Sequence, residues 1–128
     1  MSTGLGVQVD GNHYTNMKMQ PVELAYKLYA TPCFCKLAKY LTRDKGDKLT
    51  NLKKALHCVQ LEKDLTQYAI TYLDKLDGLI STGCAIGLIK QFTDEDAYRI
   101  ALFDMWLGNY ESAVLSLENI ITEYEGKL

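Results

Sequence analysis

The sequence predicts an all-α protein, a compact multi-helix domain, and three observations support this fold class. Apolar residues recur at helical spacing through most of the 128 residues. Proline, glycine and small polar residues separate these segments where helices would start and end. No run alternates apolar and polar residues over the length of a strand, because the VQV sequence near residue 7 is too short.

Length and composition indicate one domain covering residues 1–128. Hydrophobic residues make up 48% of the chain and charged residues 23%, the usual balance of a soluble globular protein. The formal net charge of −2 argues against general nucleic-acid binding, which normally needs a basic domain. No apolar run approaches the ~18 residues that cross a membrane, and the first residues lack the features of a signal peptide. We therefore expect a cytoplasmic protein without membrane contact.

The first expected elements are an arm and a short helix. Residues 1–12 are rich in glycine and polar side chains, which is typical of a flexible arm. Pro21 and Glu23 fit the start of a helix that would continue to about Ala30. One face of this helix would carry Val22, Ala25, Tyr26 and Tyr29.

Residues 31–57 are expected to form a helix, a polar turn and a second helix. Pro32 suits the first turn of the first helix, where a missing N–H costs nothing. Gly46 can adopt the left-handed conformation of the turn without steric cost. The apolar face of the first helix would be Phe34, Leu37 and Leu41.

The second helix of this pair is expected to be long, from about Lys48 to about Leu76. That length exceeds an average helix, so a kink or break near Gln60 is compatible with the pattern. Its apolar stripe would be Leu49, Leu52, Leu56, Val59, Leu61, Leu65, Tyr68, Tyr72 and Leu76.

Positive charge is concentrated on this helix pair. Residues 36–54 hold seven of the fourteen Lys and Arg residues and two of the sixteen Asp and Glu residues, a net charge of +5 in a chain of −2. Lys36, Lys39 and Arg43 recur at i, i+3 and i+7, so they are expected to share one helix face. The pattern predicts a localised anion site. A solvated charged face is the alternative that composition alone leaves open.

The second half, residues 78–128, is predicted to be a helical extension. Gly78 would end the long helix, and the apolar segment that follows contains Gly83 and Gly87 four residues apart. Small residues at that spacing permit close helix contacts, so we expect a buried or oligomer-facing helix and a homo-oligomer. Two further helices would form a C-terminal αα-hairpin around Gly108, packed on the first half or on a partner chain.

The sequence lacks the motifs of familiar catalytic machinery. It has no phosphate-binding loop followed by Lys-Ser or Lys-Thr, no E-x-x-E pattern for magnesium and no nucleophile motif for a catalytic triad. The four cysteines show no C-x-x-C spacing, so we expect free thiols and no metal site. What remains for chemistry is the cationic helix pair together with His13 and Tyr14.

A series of short motifs resembles the SaV-like phage nucleotide kinase family over about residues 13–60. In chain order they are His13-Tyr14, Met19-x-Pro21-Val22-Glu23, Phe34, Lys39-Tyr40-Leu41-x-Arg43 and Leu52-Lys53-Lys54-Ala55. The resemblance implies phosphorylation of a nucleoside monophosphate, with a nucleoside triphosphate as donor. Two positions depart from the family pattern: Gly-Asn is replaced by approximately Cys35-Lys36, and an Asp is replaced by Asn51.

The resemblance and the charge pattern together give one set of candidate nucleotide- and phosphate-binding residues. Lys and Arg side chains would pair with phosphates, and a Tyr ring would stack on a base. Simpler roles remain open for several members, such as ordering of the arm, core packing or ordinary surface charge. The set is His13, Tyr14, Lys36, Lys39, Tyr40, Arg43 and Lys54.

Three functions are compatible with these observations. The first is a phage nucleotide-binding protein that resembles a nucleoside monophosphate kinase. The second is a non-catalytic counter-defence protein that sequesters a nucleotide signal, since the departures at Cys35-Lys36 and Asn51 leave the basic residues intact. The third is an inhibitor of a host protein that binds through its acidic half, because residues 74–128 carry ten acidic and four basic side chains, a net charge of −6.

Overall fold

The computed structural model describes residues 19–68 and 78–128, and within these ranges the chain is helical without a strand. This confirms the all-α prediction. Helices in the described ranges are α1 (Pro21–Leu28), α2 (Pro32–Thr42), α3 (Lys48–Asp64), α4 (Thr82–Phe92), α5 (Asp96–Leu107) and α6 (Tyr110–Gly126).

Local sequence signals explain where these helices begin and how the turns are made. The hydroxyl of Thr31 accepts a hydrogen bond from the Phe34 N–H at the start of α2, as N-cap side chains do. The carboxylate of Asp47 accepts from the Thr50 N–H at the start of α3. Gly46 has φ 73°, so the predicted left-handed turn residue is confirmed.

Helix α3 is shorter than the sequence suggested. It ends at Asp64, so the single helix expected from Lys48 to Leu76 is wrong, and the interruption falls at Leu65 rather than near Gln60. The hydroxyl of Thr66 donates to the carbonyl oxygen of Glu62 at 3.3 Å, a local bond that competes with the helix ladder. Leu65 is 41% exposed, so burial does little to hold the apolar stripe in register there. Residues 69–77 lie outside the described ranges.

Helix α2 lies at the centre of the core and packs against α1, α3 and α5. Its predicted apolar face is confirmed, since Phe34 is 1% exposed and Leu37 and Leu41 are fully buried. Burial of side chains of this size stabilises the fold by ~1.5–3 kcal/mol each. The rest of the core comes from α1, α3, α4, α5 and α6 and includes Leu24, Leu52, Val59, Ile89, Leu102 and Leu117.

The C-terminal hairpin of α5 and α6 closes onto the first half of the chain. Gly108 makes the turn with φ 80°, as predicted, and α6 packs along α3 while α5 contacts α2. The indole Nε1 of Trp106 donates to the carbonyl oxygen of Leu28 at 3.1 Å, which ties α5 to the end of α1. Helix α5 therefore contacts both α1 and α2.

Helix α4 buries one face and leaves its glycines open. Ala85, Ile89 and Phe92 face the core, whereas a Cβ added to Gly83 or Gly87 would meet no atom within 4 Å in the described part of the chain. The glycine spacing therefore does not bring the described helices into close contact with one another. The predicted contact between copies at this face stays a prediction.

None of the helices in the described ranges combines the length and the apolar character that a membrane span requires.

Candidate functional site

Three of the candidate residues meet at one place on the surface. The ammonium Nζ of Lys39 lies 4.6 Å from the centroid of the Tyr40 ring, and the Nζ of Lys54 lies 5.6 Å from the same centroid. Both distances are within the ~6 Å range of a cation–π interaction. Tyr40 is half-buried against the core, and the ammonium groups of both lysines lie over its ring.

The packing of α2 on α3 explains this arrangement. Lys39 and Tyr40 lie in the last turn of α2, and Lys54 lies in the second turn of α3. The two helices are joined by a short turn and pack closely, which places the end of one beside the start of the other. Sequence spacing within α2 could pair Lys36 with Lys39, but the addition of Lys54 requires the tertiary contact.

The cationic region extends from Tyr40 toward the start of α2 through Lys36. Burial raises the pKa of the Cys35 thiol, and the charges of Lys39 and then Lys36 oppose that rise. Burial also raises the pKa of the Cys58 thiol, to about 11, against the same two lysines. Both ammonium groups therefore lie within electrostatic range of these thiols. At neutral pH the thiols are protonated, which makes them poor nucleophiles.

We use the term cationic surface for Lys36, Lys39, Tyr40 and Lys54. Within residues 19–68 and 78–128, none of its three lysines forms an ion pair with a carboxylate. Ion pairs that do occur in these ranges, such as Lys27–Glu23, Arg99–Asp94 and Arg99–Asp96, involve other cations. The charge of the cationic surface is therefore available to an anion.

Arg43 directly follows α2, which ends at Thr42, and it is the C-cap residue of that helix with φ −69° and ψ 130°. Its φ is helical, so the chain leaves the helix only after the Cα atom of Arg43. The expectation that Arg43 shares a face with Lys36 and Lys39 therefore stays a prediction. The side chain remains half-exposed at the end of α2, beside the turn to α3.

Lys48 and Asn51 are used by the fold itself. The ammonium of Lys48 donates to the carbonyl oxygen of Leu41 at 2.6 Å and lies 5.2 Å from the centroid of the Tyr98 ring. Burial lowers the pKa of Lys48. The Asn51 amide is buried and donates to the Lys45 carbonyl oxygen at 2.9 Å, so it holds the turn. Hence the +5 charge of this segment overstates what a ligand can reach.

An aromatic groove, which the sequence did not identify as a site, lies between α1 and α2 beside the cationic surface. Its volume is about 520 Å³, and its lining residues are Val22, Ala25, Tyr26, Tyr29, Ala30, Thr31, Pro32 and Cys35. The sequence correctly grouped four of these on one face of α1. That face is open to solvent, since Tyr26 is 79% exposed and Tyr29 is 43% exposed. The buried face of α1 consists of Pro21, Leu24, Ala25 and Leu28.

A buried carboxyl group lies behind the groove. Glu62 is 3% exposed, and it accepts hydrogen bonds from the hydroxyls of Thr31 and Tyr110. Burial raises its pKa, while the two hydroxyls act in the opposite direction. The pKa of Tyr110 is raised as well, mainly by burial and secondly by the hydrogen bond to Glu62. Glu62 therefore joins α3 to the start of α2 and to α6.

His13 and Tyr14 lie outside the described residues, as does the 1–12 arm. In the described ranges, the side chains of His, Cys, Asp and Glu form no group of three that could hold a metal ion. Cys33, Cys35, Cys58 and Cys84 are free thiols; Cys58 is buried, whereas Cys84 is exposed and does not belong to the core.

Comparison of the chain with protein-family models, with curated proteins and with solved structures found no match. The resemblance to the SaV-like phage nucleotide kinase family therefore stays a prediction, and the roles of the candidate residues are argued from their geometry.

Proposed function

We propose that this protein binds nucleotide phosphates at the cationic surface. The observation that carries the proposal is the convergence of Lys39 and Lys54, from two helices, on the ring of Tyr40. Lys36 adds a third ammonium group on the same side of α2. Arg43, at the end of α2, would supply a planar fork that can hold two phosphate oxygens at once.

The charge balance supports an anionic ligand at this place. The chain as a whole carries −2, so it has no general attraction for polyanions. The lysines of the cationic surface lie together without carboxylate partners among the described residues. A compact anion with several charges, such as a di- or triphosphate, would interact with all of them, whereas a single carboxylate would pair with one.

The family resemblance adds phosphate transfer to this proposal. On that reading the ligand pair would be a nucleoside monophosphate and a nucleoside triphosphate, and His13 and Tyr14 would complete the site. The protein would then be phage-encoded and act in the host cytoplasm. Phosphate binding without transfer, as in sequestration of a nucleotide signal, uses the same contacts and differs only in turnover.

Calorimetric titration with ATP and AMP tests the proposal. Removal of one ammonium group in Lys39→Ala or Lys54→Ala should weaken ATP binding by ~1.5–3 kcal/mol, the range for a charge-assisted hydrogen bond. Lys90→Ala, an exposed lysine on α4, is the matched control and should bind like the wild type. Equal affinities for all four proteins would contradict the assignment.

A parallel assay separates binding from transfer. ATP labelled in the γ-phosphate is incubated with a panel of nucleoside monophosphates, and labelled diphosphates are measured. Labelled diphosphate that is lost in Lys39→Ala supports the kinase-like reading. Tight binding without labelled product supports sequestration.

A partner-binding function through the acidic half is the second candidate. Helices α5 and α6 carry exposed large apolar side chains in a region of net negative charge, with Ile100 at 57%, Leu107 at 45% and Leu115 at 61% exposure. Such side chains, bordered by acidic residues, suit contact with a basic protein surface. Leu107→Lys would remove an apolar side chain and place a positive charge opposite the basic partner, so it should weaken such a contact. Nucleotide affinity should stay unchanged in the same variant, as calorimetric titration with ATP would show.

A further inference from the structure

We propose that the aromatic groove between α1 and α2 holds the base of the nucleotide whose phosphates lie on the cationic surface. This inference rests on the proposed phosphate binding and extends it to the uncharged part of the ligand. The groove and the cationic surface lie side by side along α2, since Cys35 lines the groove and Lys36 and Lys39 follow it in the same helix.

The groove has the chemistry of a base-binding site. Its walls are two tyrosine rings, Val22, Pro32 and the thiol of Cys35, and its volume of about 520 Å³ lies within the usual range of small-molecule sites. Among the residues that the structure describes, no charged side chain lines it. The hydroxyl of Thr31 is engaged by Glu62 and by the Phe34 N–H. A flat aromatic ligand would therefore be held mainly by stacking, which depends little on which base is present.

Helix α2 connects the groove to the phosphate site. Cys35 lines the groove, and Lys39 lies one turn further along the same face, about 6 Å along the helix axis at 1.5 Å per residue. The charges of Lys39 and Lys36 act on the Cys35 thiol, so the cations lie at this end of the groove. A ligand with an aromatic ring at one end and negative charge at the other matches this order.

Tyr29 has a backbone conformation that its side chain disfavours. It follows α1 with φ 53° and ψ 41°, in the left-handed region, and the Ala30 N–H returns to the Ala25 carbonyl oxygen at 2.9 Å. Glycine is the usual residue at this position of a helix end. The Tyr29 backbone is strained in this conformation, and the residue is nevertheless 43% exposed where it lines the groove. Glycine would relieve this strain, so a role for the ring in binding accounts for the tyrosine better than packing does.

The test compares ATP with inorganic tripolyphosphate, which carries the charge without base or ribose. Wild-type protein should bind ATP about ten-fold or more tightly than tripolyphosphate, the low-to-middle range for stacking of one base. Tyr29→Gly should lose most of that difference and keep the tripolyphosphate affinity. Because glycine suits the left-handed position, this variant should melt no lower than the wild type.

Two further variants complete the experiment. Tyr26→Ala removes the more exposed ring of the groove without changing how α1 ends, and it should also reduce the preference for ATP. Tyr68→Ala is the matched control, since Tyr68 is 66% exposed and does not line the groove, and it should leave both affinities unchanged.

The outcomes distinguish this inference from the proposed function. Equal affinities for ATP and tripolyphosphate in the wild type, or an ATP preference that survives in Tyr29→Gly and Tyr26→Ala, would overturn the groove as the base site and leave phosphate binding standing. Equal losses for both ligands in the tyrosine variants would also overturn it. Failure of the wild type to bind either ligand would overturn both proposals.

Discussion

Replacement of Glu62 by alanine should destabilise the protein because it removes the shared acceptor of two hydroxyl groups. Thr31 and Tyr110 both donate to this carboxyl group, which is 3% exposed. Hydrogen bonds to a charged group contribute ~1.5–3 kcal/mol each, so their gross loss is ~3–6 kcal/mol. Glu62→Ala also removes a buried charge, which offsets part of this loss. We therefore expect the free energy of unfolding to fall by about 3 kcal/mol.

The isosteric Glu62→Gln variant separates the hydrogen bonds from the charge. Its amide oxygen can still accept from one hydroxyl, and its NH₂ group can donate to the oxygen of the other. At pH 7 the free energy of unfolding of Glu62→Gln should lie within ~1 kcal/mol of the wild-type value, because a buried carboxylate has already lost much of its hydration. Urea denaturation of the wild type, Glu62→Gln and Glu62→Ala measures all three free energies of unfolding.

The pH dependence of stability tests the raised pKa of Glu62. Folding raises the pKa of Glu62 above its ordinary value of 4.5, so from about that pH upward the folded state binds more protons than the unfolded chain. The stability of the wild type relative to Glu62→Gln should therefore fall as pH rises from 4 to 7. A difference that stays constant or grows over this range would refute the buried, raised-pKa description of Glu62.

Three further predictions concern helix α4 and the stability of the domain. Ser81→Ala should lower the stability by ~1 kcal/mol, because the Ser81 hydroxyl accepts a hydrogen bond from the Cys84 N–H at 3.1 Å. Ser112→Ala, at an exposed position of α6, should be nearly neutral in thermal melting. Gly87→Ala should stabilise the isolated domain by ~0.5–1 kcal/mol, since an added Cβ meets open space, and a loss of stability in melting would contradict this. Light scattering at micromolar concentration should report an oligomer if the open glycine face of α4 joins two copies, and a monomeric mass would contradict that expectation.

The sequence was most informative where one face of a helix is clearly more apolar than the others. The stripe of Phe34, Leu37 and Leu41 predicted the buried face of α2 because burial and helical periodicity act together there. Gly46 and Gly108 marked turns for a local reason, since both have positive φ. These features depend on neighbouring residues and can be read from sequence alone.

Helix α1 shows why sequence was less informative elsewhere. Its two sides are both apolar, and only packing against α2 and α4 buries Leu24 and Leu28 while it leaves Tyr26 exposed. The aromatic groove was missed for this reason.

The cationic site was predicted only in part, because a count of charges cannot distinguish their uses. Lys48 contributes to the +5 segment yet binds the Leu41 carbonyl oxygen inside the fold. Lys39 and Lys54 are fifteen positions apart in the sequence, and they converge on Tyr40 because α2 packs against α3. The burial of Glu62 depends likewise on Thr31 and Tyr110, which come from distant segments.

The central claim is that nucleotide phosphates bind at the cationic surface, and amide chemical-shift mapping tests it most directly. A protein of 14.5 kDa is well suited to this measurement, which needs no substitution. Titration of the labelled protein with ATP should shift the amide signals of residues 36–40 and 53–55, and high salt should reverse the shifts as screening predicts. Shifts confined to α4, α5 and α6, or an unchanged spectrum at millimolar ATP, would contradict the account.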